Sequence, residues 1–157
     1  MPGASAAMQV CGGFPRASTG EKYLLGVPRT VPRPVLLYDA GCRLCRFAAR
    51  LVAALDRRRR LALLGLEDGA AERLLEQLPR VECLSSLRLV LPDGSLLSAG
   101  QATLATLELL PATRPLTWAA ERLRAQAAVE ALYCFIARNR GRLGGLVPDG
   151  PAPGRFP

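Results

Sequence analysis

Cys42 and Cys45 stand three positions apart in the run Gly41-Cys42-Arg43-Leu44-Cys45, and thiols at that spacing have a short list of chemistries. They can exchange with a disulfide, supply half of a tetrahedral metal site, or anchor a c-type haem. Haem attachment needs His directly after the second Cys, and Arg46 stands there. A zinc site needs two further ligands. The chain has no His, and its other cysteines, Cys11, Cys83 and Cys134, form no second close pair. An iron–sulfur cluster would need three or four suitably placed thiolates. Disulfide exchange, with no bound cofactor or metal, is therefore the leading expectation, ahead of a structural zinc module or two inert cysteines.

The elements around the pair decide whether it can react. Pro34-Val35-Leu36-Leu37-Tyr38 is a short apolar, strand-forming run, ended by Asp39-Ala40-Gly41. Beyond it Leu44, Phe47, Ala48, Leu51, Val52 and Leu55 recur at helical spacing. A buried strand thus feeds a helix whose first turn holds the dithiol. Unsatisfied N–H groups and the positive end of the macrodipole at that turn favour a thiolate, and Arg43 and Arg46 add positive potential. Such settings lower a cysteine pKa from about 8.5 to roughly 3.5–7.5. Asp39 opposes this through its charge unless it accepts N–H bonds as a helix cap. The first sulfur of a helical pair faces outward and the second inward, so Cys42 is assigned as attacking nucleophile and Cys45 as resolving thiol.

The remaining chain sorts into segments. Residues 1–33 are rich in Gly, Pro, Ala and Ser and read as a flexible tail containing Cys11; residues 34–147 read as one domain, and 148–157 as a second tail. Within the domain the pattern gives strand 34–38, helix 42–56, strand 61–66 and a helix over about 68–78. Strands 87–91 and 95–98 flank Pro92-Asp93-Gly94, a hairpin signal. A helix follows over 99–110, and another from about 116 or 118 towards 140. The first two strands should be parallel and the last two antiparallel. The order β-α-β-α-β-β-α with an additional C-terminal helix is that of an α/β, thioredoxin-like fold.

Tyr38-Asp39-Ala40-Gly41-Cys42-Arg43-Leu44-Cys45 resembles the signature of the DCC family of predicted thiol-disulfide oxidoreductases. Ser86-Leu87-Arg88-Leu89-Val90 with Asp93-Gly94 looks like that family's Ser-led strand and hairpin, and Tyr133-Cys134-Phe135-Ile136-Ala137-Arg138-Asn139-Arg140 is similar to its C-terminal helical motif. The resemblance implies a thioredoxin-like fold and disulfide exchange, with Asp39, Cys42 and Cys45 at the three name-giving positions. Tyr38, Arg43 and Ser86 are candidates for substrate contact or support. Ser85 or Ser86 replaces the cis-Pro of ordinary thioredoxins. The chain departs from the family in placing Ala40, not Gly, directly after the Asp, where a backbone needing positive φ would strain it.

Composition bounds the rest. A chain of 157 residues, half of them hydrophobic, buries one core. Absence of His excludes a Ser-His-Asp triad and imidazole ligands. Five cysteines, at unrelated spacings apart from the one pair, do not form a secreted disulfide framework, and no stretch suits a signal peptide or a membrane span, so a cytoplasmic location is expected. Cys83 and Cys134 read as small apolar packers. The net charge of +8 comes from Arg, Lys22 being the only Lys. Arg57-Arg58-Arg59-Arg60 reads as a helix end rather than a nucleic-acid contact, since no aromatic residues are interleaved. The polar helix end at Tyr133, Arg138, Asn139, Arg140 and Arg142 reads as capping more readily than as a site for an anionic partner. The expected partner is a disulfide-containing protein or a small-molecule thiol. The rival reading is a non-catalytic interaction domain on the same fold.

Overall fold

Val35-Leu36-Leu37-Tyr38 is apolar at every position because both faces of the strand it forms are covered, each residue being at most 2% exposed. A computed structural model describes residues 31–75 and 87–154. In it β1 (Val35–Tyr38) lies inside a four-stranded sheet of order β2-β1-β3-β4, with β2 Ala62–Gly65, β3 Arg88–Val90 and β4 Leu96–Ser98. β1 and β2 are parallel, with Tyr38 opposite Gly65. β3 runs antiparallel to β1 and to β4.

Alternation along β1 divides the core. Val35 and Leu37 join Ala62, Leu64, Ala71, Leu75 and Val90 on one face. Leu36 and Tyr38 join Ala49, Leu61, Leu63, Leu89, Ala102 and Leu110 on the other. Each large side chain buried this way contributes about 1.5–3 kcal/mol of transfer free energy. The helices are α1 (Arg43–Leu55), α2 (Gly69–Leu74), α3 (Ala99–Leu109), α4 (Arg114–Arg122), α5 (Gln126–Arg138) and α6 (Arg140–Gly144), with a 3₁₀ turn at Pro111–Thr113. The arrangement is a thioredoxin-like α/β fold.

Three expectations are corrected. The core-facing stripe of α1 is Ala49, Val52, Ala53 and Leu55, so Val52 and Leu55 pack as expected while Leu51 is 52% exposed. The Arg run does not close α1. That helix ends at Leu55, and Arg57 to Arg60 form the turn into β2, with Arg59 at φ 49°. The turn is organised by Asp56, whose Oδ1 accepts the Arg60 N–H and whose Oδ2 accepts the Leu61 N–H, both at 2.9 Å.

The long final helix is instead three. Leu123 to Ala125 close α4 in a Schellman arrangement: the Ala125 N–H reaches the Ala120 carbonyl at 2.8 Å and the Arg124 N–H reaches that of Glu121 at 3.0 Å. Arg124 takes the left-handed conformation this needs, φ 50°. Asn139 then separates α5 from α6, its side-chain amide donating to the Phe135 carbonyl at 2.8 Å. The final residues of the helix expected over 68–78, together with Cys11, Cys83, Ser85 and Ser86, lie outside the described residues.

The break lets α5 cross α3 at close range. The Gly100 N–H donates to Glu130 Oε2 at 3.0 Å, and a Cβ at position 100 would meet that oxygen at 2.2 Å and the Glu130 Cα at 3.2 Å. Gly100→Ala is therefore expected to destabilise the protein by about 1–3 kcal/mol, read as a lowered midpoint in urea denaturation.

Candidate active site

The loop between β1 and α1 has its N–H groups in sequence occupied by carboxylates. Glu67 accepts the Ala40 N–H through Oε2 at 3.2 Å and the Gly41 N–H through Oε1 at 3.0 Å. Asp39 Oδ1 accepts the Cys42 N–H at 3.1 Å. Space here is tight, since a Cβ at Gly41 would meet Asp39 Oδ1 at 3.2 Å. Ala40 departs from the resembled motif at no conformational cost. The non-glycine residues of positive φ among the described residues are Arg59, Ala99 and Arg124.

Cys42 is the N-cap of α1. Its backbone is extended (φ −85°, ψ 117°), and its Sγ accepts the Cys45 N–H at 3.3 Å. A sulfur thus takes the place of the Ser, Thr or Asp oxygen that ordinarily satisfies this donor. Cys42 and Cys45 are both free and both half-buried. Burial pushes the Cys45 thiol well above the ordinary cysteine range; its hydrogen bond with Cys42 and the Cys42 charge push it further, and Asp39 adds to this while Arg140 opposes it.

Arg46 bridges two segments, donating from Nη1 to the Ala40 carbonyl at 2.7 Å and from Nη2 to Asp149 Oδ1 at 2.8 Å. Arg50 donates to the Pro148 carbonyl at 2.6 Å. Tyr38 is buried and donates its hydroxyl to the Pro153 carbonyl at 3.0 Å; burial is the main reason its pKa is raised, with Glu67 adding and Arg46 opposing. Residues 148–154, read from the sequence as tail, therefore lie along α1 and the end of β1. Pairing with Arg46 holds the Asp149 carboxyl below its usual value, so this contact contributes above the ordinary carboxylate range and is lost as pH falls through the lowered value.

The C-terminal helices close the other side. Buried Gly144 of α6 faces Arg43 and Leu44. Arg140 Nη1 lies 3.6 Å from Asp39 Oδ2. Tyr133 of α5 accepts the Leu87 N–H on its hydroxyl at 2.8 Å, and burial raises its pKa against the opposing effect of that bond. Arg43 is exposed at the start of α1. Ser86 lies outside the described residues. Cys134 is not the free apolar packer expected: it is disulfide-bonded.

Sequence reasoning missed Glu67, Asp149 and the reach of Arg140 to Asp39. The first had a faint signal: pairing Tyr38 with Gly65 sets residue 67 beside residue 40. Among the described residues no group of three or more His, Cys, Asp or Glu could hold a metal ion, and no helix is long and apolar enough to cross a membrane.

A free Cys-x-x-Cys pair capping the first helix of a mixed four-stranded sheet defines a thioredoxin-like dithiol protein. The family model described as DCC1-like thiol-disulfide oxidoreductase matches residues 36–146, and the chain belongs to that family. No curated protein and no solved structure matches the chain.

Proposed function

We propose that the protein is an enzyme that exchanges the Cys42–Cys45 dithiol with a disulfide in a protein or a small molecule, Cys42 attacking and Cys45 resolving. The observation that carries this reading is the use of Cys42 Sγ as the acceptor for the Cys45 N–H. A negative sulfur is the better acceptor there, and it sits at the positive end of α1.

In the first half, the Cys42 thiolate attacks one sulfur of the foreign disulfide, forming a mixed disulfide and releasing the other sulfur as thiolate. Cys45 stays protonated meanwhile, held so by burial and by the Cys42 sulfur. Once Cys42 is in the mixed disulfide its charge is gone, so two of the causes that kept Cys45 protonated go with it. Cys45 then gives its proton to solvent and attacks Cys42 Sγ. The Cys42–Cys45 bond forms, the second substrate thiolate leaves, and two electrons have passed to the substrate. Asp39 holds the Cys42 backbone through its N–H bond, Glu67 fixes the two residues before it, and Tyr38 supports the site by anchoring the 148–154 segment. Arg43 at the rim and Ser86 before β3 are our candidates for substrate contact.

The odd cysteine count supports a cytoplasmic setting, and the Cys134 disulfide runs against it. With dithiothreitol as electron donor, the wild-type protein is expected to accelerate precipitation of insulin chains, and Cys42→Ser is not. Equal rates for the two proteins would end the proposal.

A further inference from the structure

We propose that Arg140, 95 residues beyond Cys45 in the chain, is a positioning residue for the second half of the exchange: by facing Asp39 it screens that carboxylate from Cys45 and so lets the resolving sulfur ionise. The inference rests on the exchange reading above and assigns to α6 a part in it.

The geometry separates the two oxygens of Asp39. Oδ1 is committed to the Cys42 N–H at 3.1 Å, and Oδ2 faces Arg140 Nη1 at 3.6 Å. Without the guanidinium, an uncompensated carboxylate would stand three residues from the nucleophile and beside the thiol that must next lose a proton. Burial of Gly144 against Arg43 and Leu44 fixes α6 on the first turn of α1, so Arg140 is held at this place by packing, not by the ion pair alone. Of the other charged or titratable groups around the dithiol, Arg43 is exposed to solvent at the start of α1 and three more have partners of their own. Arg46 is tied to the Ala40 carbonyl and Asp149, Glu67 to two backbone N–H groups, and Tyr133 to the Leu87 N–H. Arg140 alone among them meets Asp39 directly. Its side chain is 46% exposed and that of Asp39 23%, which partly screens the pair and makes its effect one of several-fold.

The test uses the full-length reduced chain with Cys11, Cys83 and Cys134 replaced by Ser, so that only the dithiol reacts, and the aromatic disulfide 5,5′-dithiobis(2-nitrobenzoate), whose thiolate product is coloured. Cys42 releases one equivalent on forming the mixed disulfide; Cys45 releases the second on closing the bridge, the phase that disappears in Cys45→Ser. Arg140→Gln is expected to leave the first phase within about twofold, to slow the second by about three- to tenfold at pH 7, and to move its pH profile upward. Arg140→Lys should restore most of the rate, because charge is what matters, and added salt should narrow the gap between wild type and Arg140→Gln. A second phase with unchanged rate and pH profile in Arg140→Gln would overturn the inference while leaving the exchange reading intact. A slowing without a shift in profile, or one that Lys does not relieve, would reduce Arg140 to a structural contact. A wild-type protein with no second phase would overturn both readings at once.

Discussion

Replacing Cys45 by Ser is expected to stop the reaction half-way, leaving Cys42 joined to a substrate sulfur, whereas replacing Cys42 leaves neither adduct nor turnover. The asymmetry follows from where each sulfur sits. Cys42 Sγ is at the helix end, serving as acceptor to the Cys45 N–H, while burial, the Cys42 hydrogen bond and the Cys42 charge keep Cys45 a thiol. Ser in place of either sulfur keeps the size and the hydrogen bonding nearly intact but has no usable anion at neutral pH. Loss of turnover should therefore be on the order of 10³-fold or more for both variants. What separates them is the trapped species: intact-mass analysis after incubation with oxidised insulin should find an insulin adduct on Cys45→Ser and none on Cys42→Ser. An adduct of equal abundance on both would exchange or erase the assigned roles.

Asp56→Ala is expected to cost the fold about 2–4 kcal/mol. Asp56 is 1% exposed and its two oxygens accept the Arg60 and Leu61 N–H groups, the second of these bonds being buried. Alanine leaves both donors without that partner, and each buried orphan costs about 1–3 kcal/mol. Asp56→Asn keeps one acceptor oxygen and should lose about half as much. Urea denaturation of the three proteins checks the order; a midpoint for Asp56→Ala within about 0.5 kcal/mol of wild type would mean that water or a shifted turn replaces the carboxylate. Because this turn joins α1 to β2, the two elements that present Cys42 and Glu67, lost stability here should also loosen the site.

The parts legible in the sequence were those governed by local rules. Four consecutive apolar residues at Val35 to Tyr38, closed by Asp39-Ala40-Gly41, read as a strand covered on both sides, Pro92-Asp93-Gly94 read as a turn, and the thiol spacing with the absence of His narrowed the chemistry. What stayed hidden depends on distance in space rather than along the chain. The stripe of α1 was right at Val52 and Leu55 and wrong at Leu51, where bulk was taken as the sign of burial although the sheet leaves room for Ala49 and Ala53. The stop at Arg124 uses neither Gly nor Pro; the chain turns there so that α5 can cross α3 at Gly100, a demand no local pattern carries. Glu67, Asp149 and Arg140 reach the dithiol from three separate segments. The Cys134 disulfide is of the same kind, since pairing cannot be read from isolated cysteines.

A sulfur that finishes a helix cannot also spend its lone pairs elsewhere without consequence. When Cys42 bonds to another sulfur it becomes a poorer acceptor, and the first turn of α1 has less reason to stay wound. Electron count and fraying of that turn are in this way a single variable, and a partner able to sense backbone order at the head of α1 could tell the spent protein from the recharged one.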